Sequence, residues 1–188
     1  YEAVKNVLIP HQKKIVELSL NENGLTLSDS IISDLGLFEN LKKVSLAVNF
    51  TKKMAGIGES LSSLLNHSNI TSLNIAGNCE TGQIVGGYAL ESEAVPFIRH
   101  LYTNSSLEEL DISGNLIGDE AVKMISEILR ENSKLKVIKI DNNGVQKIET
   151  MKDFLDSVAD STSLIDAVFP VDDVYNILSG EIGSTDSG

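Results

Sequence analysis

Two rhythms of apolar positions alternate along this chain. The first is short. Ile15, Leu18 and Leu20 are followed by Leu41, Val44 and Leu46, then Ile70, Leu73 and Ile75, then Leu107, Leu110 and Ile112, then Leu135, Ile138 and Ile140. The last two members of each set stand two residues apart, so they share one face of an extended strand and the residue between them faces the other way. The central positions are separated by 26, 29, 37 and 28 residues. A polar residue recurs five places after each one, as Asn23, Asn49, Asn78, Asn115 and Asn143. A degenerate sixth copy, "LIDAVFPVD" (164–172), follows 29 residues after the fifth and puts Asp172 where the asparagine belongs. The second rhythm is helical: Ala121, Met124, Ile125, Ile128 and Leu129 form one stripe at i, i+3, i+4, i+7 and i+8. Ala94, Phe97, Ile98, Leu101 and Tyr102 repeat it, with Pro96 in a first turn behind Ser92. Ile57, Leu61, Leu64 and Leu65 follow the same spacing, as do Met151, Phe154, Leu155 and Val158.

A strand and a helix at a period near 28, with the pattern L-x-x-L-x-L-x-x-N, is the signature of a leucine-rich repeat. The expected fold is an α/β solenoid or horseshoe, with parallel strands on a concave face and helices on the convex face, in the ribonuclease-inhibitor-like class. Repeats start near residues 15, 41, 70, 107 and 135, with a closing copy near 164. The repeat domain is expected to span 1–178 and residues 179–188 to form a flexible tail. The asparagines have a structural task. A turn stacked between two others leaves N–H and C=O groups without water, and a primary amide supplies both a donor and an acceptor. Asn23, Asn49, Asn78, Asn115 and Asn143 are therefore expected to form a ladder, closed by Asp172. The long third step places an insertion in "CETGQIVGGYALES" (79–92), whose Gly82, Gly86 and Gly87 predict a loop. At the start, "YEAVKNVLIPHQKK" reads as a helix ended by Pro10. No polar cap precedes it, so the chain is expected to be part of a longer array with Val4, Val7 and Leu8 exposed. At the other end Pro170 suits an edge strand, and "VDDVYNIL" (171–178) predicts a closing helix.

Composition narrows the functions open to such a fold. The chain has 188 residues, 41% of them hydrophobic and 22% charged, within the range of globular proteins. Its net charge is −12. Residues 1–140 hold 17 acids against 13 bases, while 141–188 hold 10 acids and only Lys147 and Lys152. Such a surface repels phosphate backbones and anionic lipid, which argues against nucleic acid and membrane partners. No apolar run is long enough to span a bilayer. The lone Cys79 cannot form an internal disulfide, and an intracellular, cytoplasmic setting is expected.

No constellation for chemistry is found. His11, His67 and His100 are scattered, with no metal-ligand spacing. There is no Gly-x-Ser-x-Gly elbow and no phosphate-binding Gly-rich loop. No catalytic residue, metal, cofactor or small-molecule substrate is expected. What remains is the outward side of the strands, where Glu17, Lys43, Asn74, Glu109, Asp111, Lys139 and Asp141 are the candidate partner-binding residues. No aromatic residue joins them, although aromatics anchor most tight interfaces.

Two stretches resemble a particular family. "LDISGNLIGDEAVKMISEILRENSKLKVIKIDNNG" (110–144) and "SLIDAVFPVDDVYNIL" (163–178) are similar to the C-terminal part of the leucine-rich-repeat domain of the capping protein, Arp2/3 and myosin-I linker (CARMIL) family. That family closes its solenoid with a proline-containing degenerate repeat, matched here from Pro170 to Val174. The resemblance implies a non-enzymatic scaffold at the cell cortex, linked to actin assembly through capping protein, Arp2/3 and myosin-I. With three prolines in all, the chain has no proline-rich tail of the kind that family uses. Two other repeat proteins fit the same pattern: a tropomodulin-like actin-filament-binding domain, and an inhibitor or GTPase regulator of the ribonuclease-inhibitor type.

Overall fold

The computed structural model describes residues 2–23, 29–49, 55–67, 69–80, 83–84 and 89–185. In chain order the elements are α1 (Glu2–Leu8), β1 (Glu17–Ser19), α2 (Asp29–Leu35), β2 (Lys43–Ser45), α3 (Ile57–His67), β3 (Ser72–Asn74), β4 (Cys79–Glu80), β5 (Gln83–Ile84), α4 (Val95–His100), β6 (Glu109–Asp111), α5 (Gly118–Glu131), β7 (Val137–Lys139), α6 (Ile148–Asp160), β8 (Asp166–Ala167) and α7 (Val171–Thr185). Strands β1, β2, β3, β6, β7 and β8 form one parallel sheet in that order, while β4 and β5 form a separate antiparallel pair.

The register follows the spacing of the apolar triplets. Leu18, Val44, Leu73, Leu110, Ile138 and Ala167 are aligned across the sheet. The first five are buried, as are Leu20, Leu46, Ile75, Ile112 and Ile140 two residues on. These side chains meet the apolar stripes of helices that pack neighbour to neighbour, α2 on α3, α3 on α4, α4 on α5, α5 on α6 and α6 on α7. One continuous core thus runs the length of the stack, and each coil depends on the next for its burial.

Most of the predicted stripes are core. Ile57, Leu61, Leu64 and Leu65 are buried, as are Ala94, Phe97, Ile98 and Leu101, and Met151 and Phe154. Tyr102 is not. It lies beyond the C-terminus of α4 and points its hydroxyl at Glu127 of α5, donating a 2.6 Å bond. Partial burial, that bond and the nearby Glu131 carboxylate push its pKa up to about 12. Helix α4 also starts later than its stripe suggests: residues 91–94 form a 3-10 turn, and Ser92 does not cap the helix. Helix α2 has no counterpart among the predicted stripes; its Ile31, Ile32 and Leu35 are buried in only two turns.

Both ends differ in detail from expectation. Helix α1 gives way to a 3-10 turn over Ile9–His11 with Pro10 in it. Val7 is exposed, Leu8 is partly buried against the core, and the side chain of Val4 lies outside the described residues. Lys5 ties α1 to α2 through a 2.8 Å ion pair with Asp34. At the far end Pro170 is buried and outside any strand, and its carbonyl accepts the first helical N–H, from Val174 at 3.1 Å. It introduces α7, which its ring's missing N–H and fixed φ permit. That helix runs to Thr185, where a flexible tail is expected from residue 179. Ile177 anchors it in the core, and no proline interrupts it.

Candidate interaction face

The side of the sheet away from the helices carries two columns of outward residues. Glu17, Lys43, Ser72, Glu109, Val137 and Asp166 are aligned in one, and Ser19, Ser45, Asn74, Asp111 and Lys139 in the other. Six of the seven candidate residues therefore share one surface. Glu17, Lys43, Glu109 and Lys139 are exposed, and Asn74 and Asp111 half-buried. Two shallow hollows of about 270 and 200 Å³ lie on this face and share Ser72, Asn74 and Glu109.

Several of these polar groups are held by the fold. Asn74 Oδ1 accepts the N–H of Ala76 at 3.0 Å, and Asp111 Oδ1 that of Ser113 at 3.2 Å. Asp111 also faces Lys139 across 3.5 Å, an exposed pair that contributes little to stability. Asn21, absent from the candidates, accepts from Ser45 Oγ at 2.7 Å and from the N–H of Ala47 at 2.9 Å. The alternation of outward positions already places Asn21 and Ser45 on this face. The seventh candidate, Asp141, has a different setting. Its Oδ1 accepts the N–H groups of Asp172 and Asp173 at 3.0 and 3.2 Å, so it caps the N-terminus of α7.

Behind the face lies the ladder. Asn49, Asn115 and Asn143 are fully buried. Asn49 Oδ1 accepts the N–H of Asn23 at 3.1 Å, and Asn143 Oδ1 that of Asn115 at 3.0 Å. Each amide nitrogen reaches back to a carbonyl one coil earlier and to one in its own coil: Leu20 and Leu46 for Asn49, Ile75 and Ile112 for Asn115, Ile112 and Ile140 for Asn143. Asn23, in the coil of β1, is exposed, and its amide turns to the carbonyl of Asn21. Asn78 is half-buried. The last rung is Asp173, not Asp172. The strand β8 is two residues long and Pro170 directs the chain into α7, which moves the buried position one residue on. Asp173 Oδ2 accepts the N–H of Asn143, and Oδ1 those of Gly144 and Val145. Burial raises its pKa, the three N–H groups oppose that, and Asp141 adds to the rise. Asp172 instead accepts the Asn142 amide at 2.6 Å.

The insertion rejoins the ladder at the Asn115 rung. After Asn78 the backbone forms the β4–β5 hairpin; Gly82, Gly86 and Gly87 lie outside the described residues. It then returns to the stack at Leu90, whose N–H lies 3.3 Å from Asn115 Oδ1, and Glu91, whose N–H bonds the Asn115 carbonyl at 2.9 Å.

Among the described residues no group of His, Cys, Asp and Glu is arranged to hold a metal, and no helix is long and apolar enough to cross a membrane. A further hollow of about 360 Å³ between α2 and α3 is lined by Ile32, Ser33, Gly36, Leu37, Ser60, Ser63 and Leu64, with no charged group.

The family model described as "Leucine Rich repeat" matches residues 103–126, from the end of α4 through β6 into α5. The chain carries a leucine-rich repeat. It is 31% identical over 134 residues to the Rho GTPase-activating protein gacW of Dictyostelium discoideum, covering 64% of this chain and 12% of that protein. It is 28% identical over 167 residues to capping protein, Arp2/3 and myosin-I linker protein 3 of Rattus norvegicus, covering 85% of this chain and 11% of the relative. The chain thus spans only about a tenth of the length of these curated relatives. Among solved structures, the C-terminal domain of Caenorhabditis elegans tropomodulin superposes with a TM-score of 0.59 at 15% identity, covering 97% of this chain and 98% of that one. The actin-binding site 2 of leiomodin-1 gives 0.53 at 18%, covering 98% and 94%. At these identities the likeness is one of fold.

Proposed function

We propose that this chain is a non-enzymatic interaction domain of an actin-regulating cytoskeletal protein. In this reading the parallel sheet is the concave wall of a horseshoe of the ribonuclease-inhibitor-like class, in the C-terminal part of a repeat domain like that of the capping protein, Arp2/3 and myosin-I linkers. The supporting observation is similarity to such a linker along 85% of the chain, together with an aligned, charged sheet face free of helices. Binding there is electrostatic and extended, since the face offers Glu17, Lys43, Glu109, Asp111 and Lys139 and no aromatic anchor. The partners are actin, capping protein, Arp2/3 or myosin-I, and the setting is the cytoplasm at the cell cortex.

The test is biosensor binding of the 188-residue chain to each of these four purified partners. Binding to at least one is expected, weakened about tenfold or more by the double reversal Lys43→Glu with Glu109→Lys. No binding to any of the four, or binding indifferent to that reversal, overturns the reading.

Two other readings have particular support. The fold shared with tropomodulin and leiomodin favours direct action on filaments, and inhibition of pointed-end elongation on barbed-end-capped filaments would promote it. Similarity to a Rho GTPase-activating protein favours a GTPase regulator. Stimulated GTP hydrolysis by purified Rho-type GTPases would promote that one.

A further inference from the structure

The two outward columns of the sheet face differ in what answers their charges. In the second, Asp111 faces Lys139 across 3.5 Å, and Asn74 and Asp111 each accept a backbone N–H. In the first, Glu17, Lys43 and Glu109 are exposed and form no ion pair among the described residues. Between Lys43 and Glu109 that column carries only Ser72, and the two hollows of the face meet there, sharing Ser72, Asn74 and Glu109. From β1 to β6 the column thus runs acid, base, gap, acid.

The spacing of that column selects the occupant. Neighbouring strands stand about 4.8 Å apart, which puts Lys43, Ser72 and Glu109 about 5, 10 and 14 Å from Glu17 along the column. A helix rises about 1.5 Å per residue, so its positions i+3, i+7 and i+10, on one face with i, lie about 4.5, 10.5 and 15 Å along its axis. The two series agree within about 1 Å. An extended segment crossing the strands spaces its same-side residues about 6.6 Å apart and misses Lys43 by about 2 Å. Carboxylates at both ends of the column repel phosphate backbones and anionic lipid. A second copy does not supply the matching stripe either. No Lys or Arg in the sequence has an acid three residues on and a base ten on, or an acid seven on and a base ten on. We infer that this column seats a helix of a partner protein laid across β1, β2, β3 and β6. The helix carries Lys or Arg at i and i+10 and Asp or Glu at i+3, and its side chain at i+7 enters the hollows beside Ser72. This occupant deepens the sheet-face reading and rests on it.

The probe is a fluorescent Ala-rich helix about five turns long, stapled on its opposite face, with Arg at i and i+10, Glu at i+3 and Gln at i+7. Its isomer exchanges the Glu with the second Arg, so composition and net charge are unchanged. Each is titrated with the 188-residue chain and read by anisotropy. The parent chain should bind the probe at least about tenfold tighter than the isomer. In the double variant Lys43→Glu with Glu109→Lys the column runs acid, acid, gap, base, and the preference should invert while far-UV circular dichroism stays that of the parent. Equal binding of the two peptides, a preference that does not invert, or no binding of either at about 1 mM overturns the inference. If the peptides fail while a purified partner binds and is lost on the same reversal, the sheet face remains the interaction face and only its helical occupant falls. If the peptides discriminate and invert while none of the four partners binds, the helical occupant stands and the choice of partners falls.

Discussion

The carboxylate of Asp173 accepts the backbone N–H of Asn143 at 2.8 Å, across 30 residues of sequence. Its other oxygen accepts from Gly144 and Val145 at 2.9 and 3.2 Å. Three donors thus converge on one buried side chain. A carboxylate accepts on both oxygens, whereas an amide would aim an NH₂ group at one of the N–H donors. Asp173→Ala, which leaves all three unsatisfied, should cost about 3 kcal/mol, and Asp173→Asn about 1–2 kcal/mol. Urea unfolding checks both values.

The same residue makes stability depend on pH. Burial lifts its native pKa above the ordinary 3.8 despite the N–H groups around it. The folded chain therefore holds this proton at a higher pH than the unfolded chain. As pH falls through the raised native pKa toward 3.8, the contribution of Asp173 to stability should rise, and it should level off below that. The urea midpoint of the parent should pull away from that of Asp173→Ala as pH is lowered from 7 toward this window. Parallel curves for the two proteins would contradict the assignment.

The rungs should differ in cost by position. Asn115 is fully buried, and its amide bonds the carbonyls of Ile75, Ile112 and Ser113. Asn23 is exposed, with its amide on one local carbonyl. Asn115→Ala should lose about 3 kcal/mol and Asn23→Ala about 0.5 kcal/mol. Equilibrium denaturation of the two variants under the same conditions gives the comparison.

Close coil-to-coil approach is set by two glycines. A Cβ on Gly77 would lie 2.1 Å from the Gly114 carbonyl oxygen, and one on Gly58 would lie 2.0 Å from that of Glu93. Both obstacles are backbone, so Gly77→Ala and Gly58→Ala must push neighbouring coils apart, at about 2 kcal/mol or more each. Gly180 in α7 meets nothing, and Gly180→Ala should stabilise by up to about 1 kcal/mol. Thermal melts of the three variants separate these outcomes.

The residue before four of the rungs turns left-handed. Glu22, Gly114 and Asn142 have φ of 55°, 68° and 58°, and Val48 has 57°. For a β-branched residue this conformation is strained. Val48→Asn, which places at this turn the residue type found at position 142, should raise stability by about 1 kcal/mol. An unchanged or lower melting temperature would count against strain at this site.

The fold was legible wherever burial obeys a fixed period. The strand register, the inward columns and the longer helices follow from apolar spacing, because a two-residue or 3.6-residue period leaves few alternatives. Helix α2 was missed because Ile31, Ile32 and Leu35 span too short a window to stand out. Tyr102 matched the α4 stripe in spacing but falls beyond the end of the helix, where a hydrogen bond to Glu127 replaces burial. Asp173 took the place expected of Asp172 because alignment counted residues, and Pro170 shifts that count by one. The sheet-face charges could be named from alternation alone. The capping task of Asp141 could not, since it depends on α7 arriving beside β7 from thirty residues downstream.

The excursion between Asn78 and Leu90 makes the third coil a natural port for added chain. Its hydrogen-bonded frame closes at Leu90 and Glu91 on the Asn115 rung, however much sequence has been looped out before them. A reporter, an epitope or a whole small domain spliced into this excursion would hang from the stack without altering its pitch. The length of that segment is thus a free variable, on which related proteins can differ while every other coil keeps its register.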